Sequence, residues 1–341
     1  MIYRSRAPLR IGLAGGGTDV SPYADEFGGA ILNATISHYA HASIEIIDEK
    51  KLIFQTLDRS EQQVFDWQKE LPINGTLDLL KGVYNRIQKD YGIPEKYFRL
   101  STYVDAPAGS GLGTSSTLVV AIIGAFAEML KLPLGEYDIA HYAYEIERKD
   151  LLLAGGRQDQ YAATFGGVNF MEFYKDDKVI VNPLRIRQEY LYELENNLVL
   201  YFTATSRESA AIIKEQQKNV SAKNEKSIDA MHQLKEQARM MKEALLKGRL
   251  NEIGEILDFG FQQKRNMAQN ISNSMIEEIY DAAKKNGATG GKISGAGGGG
   301  FMIFYCPGNA RYKVMDTLNN FGGQVKPYRF TKEGLRTWNI Q

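Results

Sequence analysis

The chain has 341 residues, 43% apolar and 24% charged, with 41 basic side chains balancing 41 acidic ones. At about 150 residues per domain this is roughly two domains with ample core, and the composition excludes a disordered, collagen-like or disulfide-stapled chain. Balanced charge offers no global field for nucleic acid or an anionic membrane, and the single cysteine, Cys306, with only His38, His41, His141 and His232, argues against a disulfide or a Cys/His metal centre.

Arg4, Arg6 and Arg10 interrupt any signal-peptide core at the N-terminus. The longest apolar run, residues 118–127, stops at Glu128, well short of the ~18 residues a membrane span requires. The expectation is a cytoplasmic protein with no membrane or nucleic-acid partner. Residues 9–14 read as a strand closed by three glycines, and Ser21-Pro22 reads as an N-cap and first helical position of a short helix ending at Gly28-Gly29. Residues 30–37 and 42–47 are rich in β-branched side chains and read as two strands, as does Phe98–Val104. Residues 77–91, 117–130 and 137–153 read as helices, the second so apolar that it must be buried on most sides. Residues 168–174 and 197–204 return to strand. In Glu225–Lys247 the set Ile228, Met231, Leu234, Ala238, Met241 and Leu245 forms a helical stripe that Leu250, Ile253, Leu257 and Phe261 continue, and core packing explains both. A helix over 275–286, a glycine loop and strands over 301–306 and 324–330 complete the chain. Alternating helices and strands with hairpin-like pairs indicate an α+β fold.

Four segments carry chemistry. The first, residues 105–117, follows a strand and opens the apolar helix. Gly109, Gly111 and Gly113 let backbone N–H groups approach a ligand, the new helix favours an anion, and Thr114, Ser115 and Ser116 add hydroxyls. A triphosphate is the natural occupant, although no Lys-Ser/Thr pair makes it a Walker loop; a serine-capped glycine turn is the plain alternative. The second, residues 290–300, contains a GxGxxG pattern, yet a strand follows it where a dinucleotide fold needs a helix. A loop that lets backbone approach a ligand or another domain fits better. The third is residues 7–19, with Arg10 in the strand and Asp19 just past the glycine turn, where a carboxylate suits a polyol or simply caps the turn. The fourth is residues 155–161 with Glu147 upstream, an acid pair that can divide between metal ligand and base.

In order and spacing these segments resemble the GHMP kinase superfamily, which includes galactokinase, homoserine kinase and mevalonate kinase. APLRIGLAGGGTD (7–19) resembles its substrate motif, PAGSGLGTSS (107–116) its phosphate loop and KISGAGGGGF (292–301) its C-terminal glycine motif. The resemblance implies two lobes: an N-terminal α/β lobe similar to ribosomal S5 domain 2, residues 1–195, and a ferredoxin-like lobe, residues 196–341, with the site in the cleft between them. It also implies ATP and Mg²⁺ as cofactors. ATP would lie on Pro107, Gly109, Ser110, Gly111, Leu112, Gly113, Thr114, Ser115 and Ser116, and magnesium on Ser115 and Glu147. Asp159 would be the catalytic carboxylate, paired with Arg10. Gly17, Thr18, Asp19, Arg157, Gly297 and Gly298 would meet the substrate.

Two departures bear on the substrate. The third motif reads GGGTD, unlike galactokinases, and Arg157-Gln158 precedes Asp159 where galactokinases have small or apolar residues. Arg157 would hold either the transferring phosphoryl group or a phosphate on the sugar, or else form a structural ion pair. Segments 14–36 and 156–167 are most similar to the heptose 7-phosphate kinase branch. That resemblance implies phosphorylation of the anomeric O1 of D-glycero-D-manno-heptose 7-phosphate, a small-molecule sugar phosphate, on the way to nucleotide-activated heptose for surface glycans. A fucokinase- or galactokinase-like activity, and an inactive sugar and nucleotide sensor, are the competing expectations.

Overall fold

The computed structural model describes residues 1–205 and 209–341. Its first strand, Ile2–Ala14 (β1), runs into the interior, where everything from Ala7 to Ala14 is buried. Next comes the short helix Tyr23–Phe27 (α1), which has no side-chain cap; Ser21, expected to cap it, instead accepts a hydrogen bond from Arg157. Gly29–Ile46 (β2) is one strand where two were expected. Residues 39–41 stay in the ladder with β1, and the irregularity is a register shift in which residues 36–38 face Leu9, beside Pro8, which has no N–H to donate.

Strands Leu52–Thr56 (β3), Glu61–Phe65 (β4) and Phe98–Val104 (β5) follow, with helix Asp78–Asp90 (α2) between β4 and β5. Then come Thr114–Leu130 (α3), Glu136–Glu145 (α4), Gln158–Phe165 (α5), and the strands Val168–Phe173 (β6) and Val179–Pro183 (β7). The helix expected over 137–153 changes character: α4 ends at Glu145 and a single π-helical turn, Ile146–Asp150, carries on. Such turns often mark functional positions, and this one holds Glu147. As its composition requires, α3 is buried almost all round, packed on β1 and β2.

Helix Gln188–Asn197 (α6) leads to the second sheet. Leu198–Phe202 (β8) is followed by helices Ser209–Ser221 (α7), Glu225–Lys247 (α8), Ile253–Lys264 (α9) and Ser274–Lys285 (α10), strands Gly290–Ile293 (β9) and Phe301–Tyr305 (β10), helix Ala310–Leu318 (α11) and strand Gln324–Val325 (β11). This sheet is antiparallel throughout, in the order β11-β8-β10-β9. In chain order that is fourth, first, third, second: the ferredoxin-like arrangement. The stripe of α8 packs on α9 and on β1 and β2, so one helix joins the two layers.

The chain end corrects two expectations. The strand expected over 324–330 stops at Val325, and residues 329–331 lie along β2, where Ser37 N donates to Arg329 O at 2.8 Å. Arg336–Ile340 (β12) then pairs with Ile2–Arg6, giving the first sheet the order β12-β1-β2-β5-β3-β4, with β6 and β7 on the other half of β2. Residues 196–341 therefore do not form one separate unit. The edge of β1, otherwise a row of unpaired backbone groups, is covered by the C-terminal strand. Among the described residues no helix is long and apolar enough to cross a membrane.

Candidate active site

The loop between β5 and α3 turns at Gly109, Gly111 and Gly113, with φ of 72°, 84° and 78°. Side chains rarely adopt this left-handed region, and glycine enters it freely. Space demands glycine as well: a Cβ on Gly113 would lie 3.0 Å from the Asp159 carboxyl carbon, and one on Gly111 would lie 2.5 Å from Ser294 O. The loop delivers the chain to Thr114, where α3 starts with neither a side-chain cap nor an acidic residue in its first turn. Its free N–H groups open on a cleft of about 680 Å³, a ready anion site.

Arg10 projects from β1 beneath this loop. Its Nε and Nη2 hold Oδ1 of Asp159 at 2.7 and 2.6 Å, and its Nη1 donates to Gly111 O at 2.5 Å. Arg10 is 3% exposed, whereas the Asp159 side chain, in the first turn of α5, keeps 23% of its surface open to the cleft. Arg10 takes only Oδ1, leaving Oδ2 available. Asp19 is buried on the adjoining wall, and its Oδ2 accepts from the backbone N–H of Arg157 and Gln158 at 2.8 and 3.0 Å. Burial raises its pKa, and the negative charge of Asp159 adds to the rise. Gly156 is glycine because Asp19 fills the space a Cβ would need.

Across the cleft Ser115 Oγ donates to Glu147 Oε1 at 2.8 Å. Glu147 is 1% exposed, and its other oxygen accepts from Gln160 Nε2, which also donates to Ser116 Oγ at 3.1 Å. Two lysines lie at the back, both buried. Lys264, at the end of α9, donates to Gly295 O, and Lys292 on β9 donates to Gly12 O at 2.8 Å. Burial pushes the Lys264 ammonium down to about 8, and Arg10 adds to the shift; burial lowers Lys292 well below the usual lysine range.

Of the residues expected at the site, Arg10, Gly17, Asp19, Gly109, Gly111, Gly113, Thr114, Ser115, Ser116, Glu147 and Asp159 line one cleft. The others do not. Leu112 is a core residue whose carbonyl accepts from Arg10 N, Ser110 is buried with its carbonyl on Phe301 N, and Pro107 faces solvent. Thr18 is fully buried, its hydroxyl on Gly15 O and Ala30 O. Gly297 and Gly298 pack on Ile271, and it is Gly295 and Ala296 of that run that reach the cleft. The Arg157 guanidinium points out of the main cleft: Nη2 pairs with Asp25 at 2.6 Å and Nη1 donates to Tyr174 O at 2.6 Å. It forms a structural ion pair, donates its backbone N–H to Asp19, and lines a smaller side cavity beyond Asp19. The sequence reading missed Gln160, Lys264 and Lys292. A signal existed for Lys264, which extends the stripe of Ile253, Leu257 and Phe261 by one step and sets a charge on an apolar face.

Residues 78–167 match the GHMP kinases N terminal domain and residues 241–324 the GHMP kinases C terminal domain, and the chain belongs to the GHMP kinase family of ATP-dependent phosphotransferases. It is 48% identical, over 99% of its own length and 99% of the relative's, to a D-glycero-alpha-D-manno-heptose 7-phosphate kinase from Campylobacter jejuni subsp. jejuni. A crystal structure of a D-glycero-D-manno-heptose 1-phosphate kinase from Bacteroides thetaiotaomicron superposes with a TM-score of 0.84 at 45% identity, covering 99% of both chains. Lactococcus lactis galactokinase in complex with galactose shares the fold alone, with a TM-score of 0.77 at 17% identity over 98% of this chain and 95% of that one.

Proposed function

We propose that the chain transfers the γ-phosphoryl group of Mg-ATP to the anomeric O1 of D-glycero-D-manno-heptose 7-phosphate, giving the 1,7-bisphosphate, a precursor for nucleotide activation of the sugar in the cytoplasm. One observation carries this reading: Asp159, held by Arg10 through Oδ1 alone, faces the same cleft as the free N-terminus of α3 and the buried carboxylate of Asp19. The phosphates of ATP lie on the 109–116 loop. A second cavity of about 450 Å³, lined by Ile73, Leu79, Leu80 and Leu151, shares Ser115 with the cleft and takes the base.

Phosphoryl transfer asks a protein mainly for in-line positioning and compensation of charge. Asp159 orients the anomeric hydroxyl and accepts its proton on Oδ2 as the O1–P bond forms and the bond to ADP breaks. Arg10 fixes the carboxylate and offsets charge beside it. Asp19 receives a sugar hydroxyl on the oxygen that α5 leaves free. Ser115 and Glu147 fit Mg²⁺: a hydroxyl beside a carboxylate is the hard oxygen set this ion takes when phosphates supply the rest. The ion supplies charge neutralisation between the phosphates when bound, and Gln160 holds its carboxylate in place. A side cavity of about 270 Å³ beyond Asp19, with Arg148, Arg157 and Lys214 in its wall, suits the phosphate already on the sugar.

The test is a coupled ADP-release assay over heptose 7-phosphate, heptose 1-phosphate, fucose, galactose and mevalonate. The names of the two relatives above differ in which phosphate their sugar carries. Turnover with the 7-phosphate in preference to the 1-phosphate supports O1 as the acceptor; preference for fucose or galactose defeats the heptose reading.

A further inference from the structure

Lys264 has no part in the mechanism above, yet its burial is hard to explain otherwise. An ammonium taken out of water needs an anion beside it, or it destabilises the fold. Among the described residues no carboxylate lies within ion-pair distance of Lys264, and its one hydrogen-bond acceptor is Gly295 O. The nearest charges are Arg10, Lys292 and Asp19, two of them cations. A helix that otherwise buries Ile253, Leu257 and Phe261 on this face ends with a charge in the cleft wall.

The position of that charge is specific. Gly295 abuts the phosphate loop so closely that a Cβ on it would lie 2.6 Å from Gly111 Cα. Gly111 O is the acceptor for Arg10 Nη1. Lys264 and Arg10 thus approach the contact between Gly111 and Gly295 from two sides, Arg10 from β1 and Lys264 from α9. Arg10, Gly111, Gly295, Lys264, Asp19 and Asp159 all line the one cleft.

We propose that Lys264 is a further catalytic residue, a second cation that binds the oxygens of the transferring phosphoryl group together with Arg10. In transit this group spreads negative charge over three oxygens. A buried donor, fixed before the reaction and without an anion of its own, is the arrangement that stabilises such charge most. A pKa near 8 means that the free enzyme is cationic here at neutral pH and loses the charge as pH rises.

The inference rests on the reading of the chain as a sugar kinase, and its test separates the two. Wild type, Lys264→Met and Lys264→Arg are compared on whichever sugar of the panel the wild type turns over; the wild-type rate with heptose 7-phosphate judges the substrate, and the ratio of variant to wild type judges Lys264. For Lys264→Met we expect kcat to fall by ~10²–10³, the range for one lost donor to a developing anion, with both KM values within about threefold. Lys264→Arg should recover part of the loss. The wild-type profile of kcat/KM should fall above about pH 8, and that limb should vanish in the methionine variant; the other charges facing Lys264 are Arg10, Lys292, Asp19 and, through Arg10, Asp159. Because methionine removes an uncompensated charge, its Tm should equal or exceed that of wild type. A rise confined to the sugar KM would make Lys264 a sugar contact and overturn the proposal. Unchanged kinetics with a lowered Tm would make it structural, with the same consequence.

Discussion

Replacing Asp159 by asparagine separates two roles that one carboxylate carries. The substitution keeps the shape and removes the charge facing Arg10, which is 3% exposed. Removing one partner of a buried ion pair typically costs ~3–5 kcal/mol. Here the loss is smaller, because the amide oxygen still accepts a hydrogen bond, Arg10 Nη1 keeps Gly111 O, and the Asp159 side chain is 23% open to solvent. About 2 kcal/mol remains, a drop in Tm of roughly 3 °C for a chain of 341 residues at ~2.1 cal/mol/K of unfolding entropy per residue. Catalysis should fall by ~10²–10⁴, the usual worth of a general base, while ATP binding persists because the phosphate loop is untouched. The double variant Arg10→Met with Asp159→Asn removes both partners and should regain most of the stability, since an ion pair replaced as a whole is often neutral. It should regain none of the activity. Thermal melts and single-turnover assays on the wild type and the two variants read both effects. An Asp159→Asn enzyme within about threefold of wild type, far inside that range, would refute the assignment of the base, and a double variant no more stable than the single one would refute the argument about the pair.

Ser115→Ala and Glu147→Gln should each shift Mg²⁺ activation to higher concentration, and Gln160→Ala, which frees the carboxylate, should weaken it ~10–100-fold; unchanged titrations would remove these residues from the metal site. Gly113→Ala forces a side chain into left-handed backbone 3.0 Å from the Asp159 carboxyl carbon, so kcat should fall by up to ~10²-fold through displacement of the base, visible in steady-state kinetics with KM for ATP little changed. Arg157→Met should lower Tm by breaking the pair with Asp25 and, because Arg157 also lines the side cavity, raise KM for the sugar phosphate while KM for ATP stays in place; an unchanged sugar KM would leave the guanidinium purely structural.

How much of this was legible in the sequence follows from where the information lies. The phosphate loop was legible because three alternating glycines ahead of an apolar helix admit few backbone conformations. Arg10, Asp19, Glu147 and Asp159 were legible only through the order of motifs, since residues so far apart in sequence meet through tertiary packing alone. Thr18, Gly297 and Gly298 belong to the right segments but turn away from the cleft, Thr18 because its hydroxyl serves the carbonyl of Gly15 in its own turn and the two glycines because they pack on Ile271. The two strands expected in place of β2 were separated by residues 38–41, and the pairing of 39–41 with β1 is a long-range fact that local propensity does not contain. The return of Arg336–Ile340 to β1 is of the same kind. Lys264 carried a local signal, a charge on an apolar stripe, which becomes meaningful only once α9 is seen to end in the cleft.

The most direct test of the central claim is phosphorus NMR of the reaction of wild-type enzyme with Mg-ATP and D-glycero-D-manno-heptose 7-phosphate. The account predicts one new phosphate resonance, coupled to the anomeric proton, appearing with ADP in equal amounts, and its absence with Asp159→Asn. A phosphate on any other carbon, or ADP formed only when another sugar replaces the heptose, would contradict it.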